Sequence, residues 1–215
     1  IVACLVGSEM CIRDRCNTEY FGDYIMAGTL SVQKIQGLAS SATPTTIEIA
    51  SGHVLQAPGH VLQTKSAAFT DTMALSVDTR TDITNLSLDI TPSSTSSKIL
   101  VLANVCYGGS NNNLYGSGFL VRDSTDIGVG TTATGSRQNV SFGMDFGNGS
   151  LNEYKLRTAS GMFLDSPSTT SSVTYKVQVR HNVNGTMYIN RSGQDSNADY
   201  GCRGISTLTI MEIAQ

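Results

Sequence analysis

The side chains in this sequence with the most obvious capacity for chemistry are three histidines, a scatter of loop carboxylates and five cysteines. His53 and His60 hold equivalent places in a repeat, GHVLQAPGHVLQ, and His181 lies on the apolar parity of an alternating stretch. A zinc site needs three or four ligands brought together, and the repeat relates only two, so packing is the expected role. The alternative is that one histidine from each of three chains meets on a threefold axis. Cleaving a glycosidic bond takes two carboxyls set across a sugar. Asp123, Asp126, Asp145, Asp165, Asp195 and Asp199 fall in or near expected loops, where Asp is an ordinary turn residue bonding nearby backbone. Asp195, Asn197 and Asp199 offer oxygen ligands for calcium without the regular spacing of an EF-hand loop.

No nucleophile elbow, phosphate-binding loop or dinucleotide fingerprint is present. GVGTTATGS, residues 128–136, is glycine-rich but does not lead from a strand into a helix. No catalytic residue, metal ligand or cofactor is therefore expected, and the chain reads as a non-enzyme. The informative side chains are aromatic, amide and guanidinium groups in loops, with Asn111–Asn113 among them, and such groups suit recognition of sugars or protein loops. Tyr115, Arg137, Asn182, Arg191, Tyr200 and Arg203 are the ligand-binding candidates.

The cysteines divide by position. Cys11 belongs to LVGSEMCIRDR, residues 5–15, which reads back without a gap into DNA resembling a sequencing adaptor. These residues are expected to be a non-native scar, with residues 16–25 translated from upstream DNA and Met26 the start of the protein proper. A secretory signal fits less well, because Ile1–Val6 is a short apolar run followed by charges. On that reading Cys4, Cys11 and Cys16 leave the count. The remaining two, Cys106 and Cys202, lack C-x-x-C spacing for a metal or redox motif. Cys106 reads as a small buried hydrophobe, and a bridge to Cys202 stays open. The formal net charge of −3 moves toward zero once Glu9, Arg13, Asp14, Arg15, Glu19 and Asp23 are set aside. Neither a nucleic-acid footprint nor a membrane span is visible.

The elements that must position these residues are strands. Trp is absent, charged residues make up 14% and Gly is frequent, a composition unlike that of long surface helices. Residues 26–64 carry short apolar pieces separated by LASSATPT, SGH and APG, and read as an extended attachment or shaft segment needing outside partners. The GHVLQ repeat reads as two short strands bent at Pro58–Gly59. Residues 65–215 read as the main domain. Strands are expected at Phe69–Val77, Thr84–Thr91, Lys98–Tyr107, Tyr115–Arg122, Ile127–Val129, Ser136–Phe146, Tyr154–Leu164 and Val173–Val183. Lys98–Tyr107 is apolar on both parities and is expected to be covered on both faces. Asn184–Gly185 signals a hairpin into Thr186–Arg191, and Ile205–Ile213 closes the chain. Eight or nine antiparallel strands in about 150 residues predict an all-β fold, a two-sheet sandwich of the jelly-roll type.

From Met26 onward the sequence resembles tail-fibre-like structural proteins of tailed bacteriophages recovered from environmental samples. The resemblance rests on MAGTLSVQKIQG, TPTTIEIASGH, APGHVLQ, LSLDITPSSTSSKILVLANV, GFLVRDSTDIGVG, SGMFLDSPSTTSSVTYKVQVR and GTMYINRSGQDSNADYGCRGISTLTIMEI. It covers most of the chain, and the C-terminal part is similar to the jelly-roll heads of tumour necrosis factor and of the first complement component. The resemblance implies a homotrimeric component of the virion, assembled in the host cytoplasm. Its N-terminal part would join other tail or baseplate proteins while its head meets a host-surface glycan or protein. It assigns no site residues, and the doubled GHVLQ departs from the single copy it implies. A capsid decoration or head-fibre protein and a polysaccharide depolymerase are the alternatives.

Overall fold

The computed structural model describes residues 4–6, 9–11, 57–110, 114–131, 134–146, 152–182 and 185–215. The chain divides into two compact units, Ile1–Glu48 and Ile49–Gln215. In the first, β1 (Cys4–Val6) and β2 (Glu9–Cys11) pair antiparallel as a two-stranded sheet of their own. Most of the expected leader and attachment segment, His53 included, lies outside the described residues.

The second unit is an antiparallel β-sandwich. Its larger sheet runs β3 (Val61–Phe69), β13 (Ser206–Ile213), β6 (Lys98–Gly109), β12 (Met187–Ile189) and β4 (Met73–Leu75), with β10 (Arg157–Asp165) also paired to β6. Its smaller sheet runs β5 (Thr81–Ile90), β11 (Val173–His181), β7 (Tyr115–Arg122) and β8 (Thr125–Ile127), with β9 (Phe142–Asp145) also on β7. The long strands alternate between sheets in chain order, β3, β6, β10 and β13 in one and β5, β7 and β11 in the other, which is jelly-roll wrapping.

Period-two patterning builds the core. Val173, Tyr175, Val177 and Val179 on β11 face Ile99, Val101, Val105 and Tyr107 on β6 and Leu208 and Ile210 on β13, all buried. Phe142 of β9 inserts its ring between the sheets because both walls are glycine there. A Cβ on Gly118 would stand 2.0 Å from the ring, and one on Gly161 2.5 Å from it. The φ of 61° at Asn85 marks an irregularity that lets Ile83 and Leu86, three residues apart, both reach the core. The β11–β5 register shifts at the same place.

Several sequence expectations change. The expected strand Phe69–Val77 is two strands, broken where Asp71 Oδ1 accepts the Thr72 amide at 2.7 Å. The strand ending at Phe69 starts at Val61, within the span expected as attachment segment, because it pairs with the C-terminal strand along its whole length. The turn at Pro58–Gly59 is present, closed by the His60 amide on Ala57 O at 3.0 Å. Ser136–Phe146 is extended only over Phe142–Asp145, and Tyr154 sits in a 3-10 turn, Asn152–Tyr154. Asn184 lies outside the described residues, but β11 and β12 form no hairpin, since β12 pairs with β6 and β4 in the opposite sheet. The chain crosses between sheets there, tied by Ser110 and Thr186. β6 is central, yet its outward row, Leu100, Leu102, Asn104 and Cys106, is only half-buried.

Candidate functional site

The six ligand-binding candidates do not converge. Tyr115 and Asn182 meet at one end of β7, the Tyr115 amide donating to Asn182 Oδ1 at 2.8 Å, with Tyr115 71% exposed. Arg137 bonds within its own loop, to Thr134 Oγ1 at 3.0 Å. Arg191 and Arg203 meet at Asp195. Arg203 holds that carboxylate in two hydrogen bonds of 3.1 and 2.9 Å, and Arg191 approaches to 3.9 Å while its guanidinium lies 3.6 Å from the centre of the Tyr188 ring. Tyr200 packs edge-on against Tyr154 at 5.2 Å. These contacts give the 190–204 loop its shape.

The histidines and cysteines also separate. His181 is buried among core residues, and its Nε2 has no hydrogen-bond partner among the described residues, whereas His60 is exposed at the end of a turn. The thiols of Cys106 and Cys202 are both free, and Cys106 Sγ lies 3.6 Å from Thr158 Oγ1. No group of three or more metal-ligating side chains occurs among the described residues.

The carboxylates take distinct local roles. Asp123, at φ 54°, accepts the Thr174 amide at 2.9 Å. Asp126 pairs with both terminal nitrogens of Arg80 at 2.9 and 2.6 Å. Asp165 lies between the sheets, 5% exposed, where Oδ2 accepts from Arg122 of β7 and from the Tyr175 hydroxyl of β11, each at 2.6 Å. Burial and the neighbouring Asp165 push the Tyr175 hydroxyl far above the usual phenol range, so it remains a donor. Burial alone would lower the Arg122 guanidinium, but Asp165 outweighs it and raises it instead. Arg122, Asp165, Asp126, Gly128 and Phe163 line an open depression of about 650 Å³ between β10 and the β7–β8 hairpin.

The outward faces of the two sheets differ. On the smaller sheet, ion pairs cover the surface: Lys176 with Asp82 at 3.1 Å, Arg180 with Asp78 at 2.6 Å, and Arg80 with Asp126. The Arg80 guanidinium also lies 3.8 Å from the centre of the Phe119 ring. On the larger sheet, direct pairing lines up Thr64–Met211–Leu100–Leu164, Ser66–Thr209–Leu102–Met162 and Ala68–Thr207–Asn104–Ser160 in adjacent rows. None of these residues is charged, and Met162 is 73% and Leu164 45% exposed. Lys98 stands at one end of the face, where β6 begins. The face was not readable from sequence, because β10 and β13 meet β6 only through the fold.

No protein-family model matches the chain, and no curated protein matches it. Among solved structures, it aligns with the structure of the infectious bursal disease virus Gx strain at 11% identity and a TM-score of 0.36. The alignment covers 80% of this chain and 42% of the other, so the chain spans less than half the length of that protein.

Proposed function

We propose that the protein is a non-enzymatic structural component of a phage virion, a homotrimeric tail fibre or fibre tip whose sandwich is the head that attaches to the host surface. The observation that carries this reading is the uncharged outward face of the larger sheet. Solvated sheet faces carry polar and charged side chains, as the smaller sheet does here, while central rows with bare Met and Leu and no charge, Lys98 standing only at their end, can be buried without stripping water from ions. Copies meeting through that face would bury apolar rows that one chain leaves half-exposed, in a closed symmetric assembly. Three heads on one trimer, and several trimers on one particle, would then attach by avidity from individually weak contacts. The sequence resemblance to tail-fibre-like proteins supports the same reading.

Two measurements test it. Light scattering of the full chain should give three times the 22.8 kDa chain mass, and a stable monomer would sink the trimer. Fluorescently labelled protein should sediment with intact cells of at least one strain in a bacterial panel, and retention by none would remove the attachment role.

A further inference from the structure

Phe163 stands on the inward parity of β10, between the buried Gly161 and Asp165, yet it is 37% exposed. The sandwich is therefore open at this point. One side of the ring rests on Gly128, whose φ of 63° and missing side chain permit the approach; a Cβ there would lie 3.0 Å from Phe163. Both residues line the depression.

Asp165 and Arg122 stand in the polar wall with Thr125 and with Asp126, whose two oxygens already accept from Arg80. Asp165 commits Oδ2 to both Arg122 Nη1 and Tyr175, leaving Oδ1 without a donor among the described residues. Arg122 donates from Nη1 to that same oxygen and also interacts with the Tyr175 hydroxyl, and its side chain is partly exposed where it lines the depression. A carboxylate oxygen that only accepts thus stands beside guanidinium N–H groups that only donate. The buried Tyr175 hydroxyl and the cross-sheet ion pair fix both groups in place before any ligand arrives.

We propose that this depression binds a hexopyranose, with an apolar C–H face of the ring against Phe163 and two neighbouring hydroxyls on Asp165 Oδ1 and Arg122. A hydroxyl donates and accepts, so a vicinal diol satisfies both wall groups at once, whereas a carboxylate ligand would be repelled by Asp165 and an alkyl ligand would leave both unpaired. The aromatic ring supplies the flat apolar surface that a sugar's C–H face needs, and the volume lies in the range of small-molecule sites. This deepens the attachment reading by naming the ligand class, and as biology it rests on that reading.

The test is saturation-transfer NMR of the full chain with the methyl pyranosides of glucose, galactose, mannose and N-acetylglucosamine, with sorbitol and cyclohexanol as controls. At least one pyranoside should bind. Phe163→Ala should weaken it about tenfold or more, and Phe163→Tyr, which keeps the ring, should retain it; circular dichroism would verify that both variants fold. Absence of binding by all four pyranosides, or equal binding by cyclohexanol, would overturn the site, as would a folded Phe163→Ala protein that binds unchanged. Cell sedimentation keeps the two proposals separate. Cells retained equally by wild type and Phe163→Ala overturn the depression as the contact that attaches the protein and leave attachment itself standing, while Phe163-dependent pyranoside binding without cell retention keeps the site and overturns attachment.

Discussion

Glu212 shows how much one residue can decide in this protein. It lies on the inward parity of β13 and is fully buried, with Oε1 accepting the Ser93 amide at 2.7 Å and hydroxyl at 2.6 Å and Oε2 accepting Gln63 Nε2 at 2.6 Å. Burial works to raise its pKa, but the hydrogen bonds from Gln63 and Ser93 outweigh it and hold the carboxyl below its ordinary value. A depressed folded pKa means stability that is present above the unfolded value of about 4.3 and lost as the pH falls through the lower folded value. Urea unfolding at a series of pH values should show that loss in the wild type. Glu212→Gln should lack the corresponding component and be less stable at neutral pH, since its amide N–H₂ faces donors. Asn190 is the second such residue. At φ 63° and fully buried, it donates from Nδ2 to Phe69 O at 2.7 Å and Asp71 O at 2.8 Å, and accepts from Ser206 Oγ at 2.7 Å. Asn190→Ala leaves those groups unpaired and should cost about 1–3 kcal/mol in denaturant unfolding.

Among the elements, the short β9 sends two side chains, Phe142 and Met144, into the core. Its Phe142 ring occupies the space that Gly118 of β7 and Gly161 of β10 leave open, so the three positions act as one packing unit. Gly118→Ala should destabilise by about 1–3 kcal/mol through overpacking. Adding Phe142→Leu should recover part of that loss, read as a favourable coupling in a double-mutant cycle; strict additivity would show that the ring and the glycine do not share space. The strands themselves were legible in sequence wherever one face is core and the other solvent, as in β11 and β13. Tyr115–Arg122 was legible to the residue. Legibility failed where the chain changes sheet: Asn184–Gly185 reads as a hairpin signal, but β12 pairs with β6 and β4 and not with β11, and a turn motif carries no information about which sheet receives the next strand.

On the scale of the whole molecule, charge is partitioned between the two outward faces, and the partition yields a directional prediction. Met162→Glu, at the exposed end of the row Thr209–Leu102–Met162, should reduce the mass measured by light scattering from that of the trimer to that of the single chain. Gln178→Glu, on the ion-pair-laced face of the smaller sheet, should leave the mass unchanged. If both variants keep the wild-type mass, copies do not meet through the larger sheet.

What the sequence determined by itself is the all-β class and the period-two rows of β11 and β13, because alternation along a strand is local information. It singled out individual loop candidates, Tyr115, Arg137, Asn182, Arg191, Tyr200 and Arg203, on residue type alone. Only the tertiary structure decided that Asp165, 43 residues from Arg122 and 10 from Tyr175, joins them across the two sheets, and that Leu100, Met162 and Met211 lie side by side on one uncharged face. Both arrangements arise from long-range strand pairing, whose register is set by the burial of the opposite face and not by any motif in the residues that end up together.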